Sequence, residues 1–213
     1  MPTRVPLSLV RSSVMGGLPR RVAIPDARRA AVAAIFRERD EGAELLFIER
    51  AAHPDDPWSG QVGFPGGHEE PEDPDLAGTA VRETREELGL HLDGEQVHAL
   101  GALDEIQARS SVRISALVIH PFAFALHGDA PTPAVPNSEV AAAFWVPLHA
   151  LLDPDRRVWF DAHRAAAGFT FPAVDLGDGR TLWGLTHRMV FELAHRLALI
   201  DDLEALTQPR PRA

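Results

Sequence analysis

The segment Gly63–Leu90, GFPGGHEEPEDPDLAGTAVRETREELGL, constrains this chain more than any other. A Pro-Gly-Gly turn opens it, an acidic loop broken by prolines follows, and TAVRETREELGL closes it as a helix. Gly89 stands where a left-handed C-terminal cap ends such a helix. Glu83, Glu86 and Glu87 then fall at i, i+3 and i+4, with their carboxylates on one face within about one turn. Like charges so close repel each other and gain nothing structurally. A divalent cation gives them a reason to be gathered, because hard ions take several oxygen ligands. Arg82 begins the set, and its planar fork of donors suits it to brace a carboxylate. The expectation is a metal site on a short, well-bounded helix.

Composition narrows the partners. The 213 residues suit one domain with extensions, and an apolar fraction of 45% supplies a core. The net charge is -10 and there is no lysine, so every side-chain cation is arginine or histidine. That balance argues against sequence-independent binding to nucleic acid. It admits an anionic substrate where a metal inverts the local field. With no cysteine, disulfides, thiolate zinc sites and thiol nucleophiles are excluded. No apolar run has the form of a signal peptide or the length of a membrane span, so the expected location is cytoplasmic and no membrane partner is expected.

Along the chain, residues 1–28 read as an extension, a short helix or strand laid over the core, and 205–213 as a flexible Arg-Pro tail; the domain is 29–204. AAVAAIF after Arg29 and ELLFIER at Glu44–Arg50 are apolar strands joined by a polar turn with Gly42, a hairpin or meander. Ala51–Gly60 is a loop carrying His53 and Trp58. Trp58 either stacks on a base or caps the sheet, and Arg50 and His53 either reach phosphates or are simply solvated. Gln96–Ile106 and Val112–Phe124 read as strands, the second central. Asp104 and Glu105 either join a ligand pocket or face water, and Arg109 and Arg113 are candidate phosphate grips. Ala143–Val146 is a further strand, with Pro147 opening a helix at its first turn. Phe160 and Phe169 read as core or pocket wall. From Thr181 the spacing of Met189, Leu193, Leu197 and Ile200 predicts an amphipathic helix against the sheet, with His187 and His195 structural or solvated.

Arg82-Glu83-Thr84-Arg85-Glu86-Glu87-Leu88-Gly89-Leu90 resembles the second half of the Nudix box, R-E-U-x-E-E-x-G-U with U apolar; Thr84 departs at one U. In the first half, counting from Gly67 reaches Asp73 with one residue too many before Arg82, so Asp73 or Glu72 stands for the outer acid. The resemblance implies an α/β fold, a Nudix-type α/β/α sandwich with a mixed β-sheet, and hydrolysis of a nucleoside diphosphate linked to another moiety with Mg²⁺ or Mn²⁺. It also implies Glu86 and Glu87 as metal ligands, Glu83 as ligand or general base, the Gly66 carbonyl as an added ligand, and Glu139 as a remote acid.

Within that superfamily the chain is similar to the coenzyme A pyrophosphatase branch. Leu45-Leu46, Arg50-Ala51, Gly60 and Phe64-Pro65-Gly66-Gly67 answer to its upstream signature. Glu139-Val140, Trp145-Val146-Pro147-Leu148 and Trp183-Gly184-Leu185-Thr186 answer to its downstream pieces. A second signature arginine is replaced by acid near Asp55 or Asp56, and the spacing from Arg50 to Gly60 is one residue longer. The branch implies coenzyme A or acyl-coenzyme A as substrate, with Arg50, Trp58, Phe64 and Arg113 on the substrate side. The alternatives are another nucleotide substrate (ADP-ribose, a nucleotide sugar or an oxidised nucleoside triphosphate) and a non-catalytic nucleotide-binding module. The intact set of helix carboxylates disfavours the module. A homodimer is compatible with the exposed N-terminal segments.

Overall fold

The computed structural model describes residues 4–52, 60–108, 116–128, 138–162 and 168–212. Of the residues singled out in the sequence, His53, Asp55, Asp56, Trp58, Arg109 and Arg113 lie outside them.

β1 (Arg28–Arg39) and β2 (Gly42–Arg50) form the expected antiparallel hairpin. Their side chains alternate between two cores, as a strand with both faces covered requires. Ala34, Phe36, Leu45 and Phe47 enter one core, while Ala31, Ala33, Ile35, Leu46 and Ile48 enter the other. β7 (Leu117–Leu126) lies parallel to β1 along residues 28–36, and β8 (Val140–Pro147) lies antiparallel to β2. The fold is therefore a mixed sheet with helices on both faces, α/β as the sequence indicated.

The β1–β2 pairing holds only from Phe36↔Leu45 to the turn. Beyond it the hairpin splays, and β3 (Val62–Gly63) pairs with β2 while β4 (Gly66–His68) pairs with β1. The Phe-Pro-Gly-Gly turn is thus a wedge in the plane of the sheet. Gly66 is required there: its φ is 150°, and a Cβ would overlap the Ala31 carbonyl.

The helix α2 (Leu76–Leu88) covers one face, with Ala80 and Leu88 in the second core. On the other face, α1 (Leu7–Gly16) buries Leu7, Val10 and Val14 beside α3 (Leu148–Leu151) and α4 (Gly184–Arg196). Each such fully buried aliphatic side chain contributes about 2 kcal/mol. Part of the segment read as an extension, α1 thus packs into the domain core, and Val5 bridges to Gly42.

A second sheet holds β9 (Arg157–Asp161), β10 (Phe169–Gly177), β11 (Arg180–Trp183) and β12 (Arg210–Pro211). α5 (Leu203–Thr207) precedes β12, which draws the C-terminal segment onto β10.

Three local expectations are corrected. The strand read over Gln96–Ile106 is two, β5 (Val97–Ala102) and β6 (Ile106–Ala108), both paired with β7. They flank Pro121 of β7, which has no N–H to give a continuous ladder; its carbonyl accepts from Leu103 N at 2.8 Å instead. The helix expected from Thr181, α4, starts at Gly184, because Arg180–Trp183 pair with β10 and Gly184 turns the chain at φ 68°. Leu197 and Ile200 stay buried beyond its end. Phe160 stacks on Trp183 at 4.7 Å, whereas Phe169 is exposed and not part of the core.

Candidate functional site

Local chemistry bounds α2 at both ends. Asp75 accepts from Gly78 N at 2.7 Å at the N-cap, and Gly89 at φ 61° donates its N–H to Arg85 O at 2.9 Å at the other end. Thr84, the departure at an apolar box position, is fully buried and donates its hydroxyl to Ala80 O at 2.7 Å. The substitution adds a polar group but leaves none unsatisfied.

Arg82 organises the acids around α2. Its Nε and Nη2 donate to the two oxygens of Asp73 at 2.8 Å and 3.1 Å, a bidentate pair. Nη1 donates to Glu83 Oε1 at 3.1 Å and to Glu86 Oε2 at 3.2 Å, and Nη2 also reaches the His68 carbonyl at 3.1 Å. Thr79 donates to Asp73 at 2.8 Å. Of the two outer-acid candidates, Asp73 is the one bound into the cluster; Glu72 is exposed. The Arg82 pair holds the Asp73 carboxyl well below the usual carboxylate range.

The three glutamates of the box occupy different surroundings. Glu86 is half exposed. Glu83 lies directly over Gly67, where a Cβ would overlap its carboxylate, so the second glycine of the wedge is the floor on which Glu83 sits. Burial raises the Glu83 carboxyl, against the pull of Arg82, and Glu86 and Glu70 add to the rise. Glu87 is buried and accepts from Gly66 N at 2.9 Å. Burial pushes it up to about 7; the Gly66 N–H opposes this, Glu83 reinforces it, and Arg50 and Glu139 act at longer range in opposite senses. Arg50 at the end of β2 and Glu139 ahead of β8 are therefore electrostatic neighbours of Glu87. They are drawn together by the β2–β8 ladder, in which Ala51 N donates to Glu139 O at 2.8 Å.

Sequence reasoning thus reached Arg82, Glu83, Glu86, Glu87, Gly66, Arg50 and Glu139, and the fold brings them to one region. It gave Thr79 no role and Gly67 only a place in the turn motif. A buried threonine on the sheet side of an acidic helix needs a partner, and that was the available signal for Thr79. Phe64 is corrected from the substrate side to the core: it is buried and stacks on Phe47 at 5.3 Å. Asp104 and Glu105 bind the N-terminal segment, and Asp104 also lines a small cavity with Met189, Glu192 and Arg196. Asp104 accepts from Arg20 N at 2.9 Å, and Glu105 from Val22 N at 2.7 Å and Arg21 Nη1 at 2.5 Å.

Among the described residues, no group of three or more histidine or acidic side chains is arranged to hold a metal ion. Arg82 Nη1 instead stands between Glu83 and Glu86. The donors nonetheless fit a hard divalent cation. They are carboxylate oxygens, the glycine floor makes room for one of them, and Glu87 is a buried acid among other acids, relieved by the Gly66 N–H and, at longer range, Arg50.

An acidic helix braced by one arginine over a glycine wedge in a mixed sheet defines a recognisable class of α/β domain. A family model described as NUDIX domain matches residues 27–166, and the chain belongs to the Nudix family. It is 32% identical over 173 residues to the Nudix hydrolase NudL of Yersinia pestis (strain Pestoides F), itself uncharacterized, covering 81% of each chain. NudL of Yersinia enterocolitica is 31% identical over 140 residues, 65% of this chain and 67% of the relative. Among solved structures, a C. elegans Ap4A hydrolase in a binary complex shares the fold at TM-score 0.52 and 18% identity, covering 82% of this chain and 100% of that one. A MutT/nudix family protein from Enterococcus faecalis does so at TM-score 0.51 and 12% identity, covering 90% and 74%. The chain is a Nudix hydrolase of pyrophosphate bonds, from a family whose hydrolases generally use divalent metal ions. No helix among the described residues is long and apolar enough to cross a membrane.

Proposed function

We propose that this Nudix hydrolase cleaves the pyrophosphate of coenzyme A or acyl-coenzyme A, releasing 3',5'-ADP and (acyl)phosphopantetheine. The observation that carries the reading is the adjacency of two signature pieces far apart in sequence. A Cβ on Gly63, next to the Phe-Pro-Gly-Gly turn, would stand 3.7 Å from Thr186 Oγ1, and one on Gly184 would stand 3.2 Å from Gln61 Nε2. The upstream and downstream pieces of the coenzyme A-type pattern are therefore neighbours in the fold, which supports the reading.

In this reading Glu83, Glu86, Glu87 and the Gly66 carbonyl hold Mg²⁺ or Mn²⁺. When bound, such ions neutralise charge on the phosphate oxygens and lower the pKa of an attacking water. Arg82 keeps Glu83 and Glu86 on one side of the helix and ties them to Asp73. Glu83 or Glu139 takes the proton from water, and Arg50, beside Glu87, faces the anionic substrate.

Gly67→Ala tests the floor under Glu83. Its Cβ displaces the carboxylate, and Mn²⁺ binding followed by electron paramagnetic resonance should weaken about tenfold or more. Affinity equal to the parent would remove Glu83 from the ligand set. The substrate is tested by product analysis over coenzyme A, acyl-coenzyme A, ADP-ribose, NADH and 8-oxo-dGTP with Mg²⁺ or Mn²⁺. Release of 3',5'-ADP from coenzyme A supports the reading; intact coenzyme A beside cleaved ADP-ribose overturns it.

A further inference from the structure

On the far side of the sheet, two imidazoles are aimed at a single point. His98 on β5 and His127, just past β7, have ring centroids 4.3 Å apart and meet edge to face. His98 Nδ1 and His127 Nε2 lie 2.6 Å and 3.1 Å from the same atom, Nη2 of Arg11 on α1. A guanidinium donates, never accepts, and does not lose its proton in proteins. Both facing ring nitrogens therefore accept, so His98 carries its proton on Nε2 and His127 on Nδ1. Their lone pairs converge where a cation's nitrogen now sits. Burial, then His98 and Arg11, hold His127 below the ordinary imidazole range, in keeping with a neutral ring.

We propose that His98 and His127 form a two-imidazole site for a first-row transition ion of borderline softness (zinc, nickel or copper(II)), with Arg11 the side chain it displaces. Imidazole nitrogen suits these ions, whereas magnesium and calcium select oxygen. Backbone ladders set both rings in place. β5 pairs with β7 from Val97↔Leu126, and His127 N donates to Gln96 O at 3.0 Å. Arg11 is free to swing away, because α1 is held on the sheet by buried Leu7, Val10 and Val14. The site is separate from the α2 carboxylates. His120 shares a cross-strand row with Ala31 and Gly67, and His127 lies on the order of 20 Å further along at strand rise.

The test uses the full chain, stripped with chelator and kept in excess Mg²⁺ to occupy the carboxylates, then titrated calorimetrically with Ni²⁺. The parent should bind one equivalent that His98→Gln and His127→Gln each lose, and Arg11→Gln should bind it more tightly. Copper(II) paramagnetic resonance on the parent should show coupling to imidazole nitrogen, absent when both histidines are replaced. Unchanged Ni²⁺ binding in either histidine variant, no binding by the parent, or a copper spectrum indifferent to the double replacement would each overturn the proposal. Circular dichroism of each variant separates loss of the site from loss of the fold.

Discussion

Glu86→Gln should lower the metal-replete rate of pyrophosphate hydrolysis by at least about a hundredfold, the scale of removing one strong electrostatic contributor, while leaving the fold intact. Both halves follow from its position. Glu86 is half exposed on α2 and pairs with Arg82 at 3.2 Å, and Arg82 keeps Asp73 and Glu83 when Glu86 becomes neutral. Glutamine preserves size and helix propensity, so thermal unfolding should move little. What is lost is a negative oxygen at the rim of the acidic cluster, one of those proposed to hold the divalent ion. Rates measured across a Mg²⁺ series separate weaker ion binding from slower chemistry. A rate near that of the parent at saturating Mg²⁺ would withdraw Glu86 from the site.

Glu87→Gln should separate stability from function in the opposite sense. The folded carboxyl sits at about 7, above its ordinary 4.5. A raised acid makes the native state bind more protons than the unfolded chain between those values, so its contribution is full below about 4.5 and is lost as pH rises through about 7. In chelator at pH 8 the parent buries an ionised Glu87 beside Glu83 and Glu139; the glutamine variant does not, and its amide oxygen still accepts from Gly66 N. The metal-free variant should therefore be more stable than the parent at pH 8, by on the order of 3 kcal/mol, with the gap closing near pH 5. Urea unfolding at the two pH values measures this directly. With Mg²⁺ the order should reverse, because only the parent gains from binding. A gap that does not change with pH would mean that Glu87 does not titrate between folded and unfolded states.

The α2 helix was legible in the sequence because its determinants are local: a spacing of three and four residues, an aspartate before it and a glycine after it. The β1–β2 hairpin was legible for the same reason, two apolar runs around a short polar turn. Errors fell where a distant strand decides. Pro121 of β7 breaks the partner strand in two, and pairing with β10 takes Arg180–Trp183 out of α4. Phe64 carried a substrate-side expectation because its motif does, yet Phe47, on a neighbouring strand, draws it into the core. The bidentate grip of Arg82 on Asp73 crosses the irregular loop, whose path no residue spacing specifies.

By itself the sequence determined that three carboxylates share one turn of helix next to an arginine, since helical geometry turns spacing into proximity without reference to the rest of the chain. Only the tertiary structure decided how unlike those carboxylates are: Glu86 at the rim, Glu83 over the Gly67 floor, Glu87 buried against Gly66 N and near Arg50 and Glu139. The reason is that charge and proton affinity follow desolvation and neighbouring charge. Both are set by a glycine wedge and a strand end that reach α2 through the sheet.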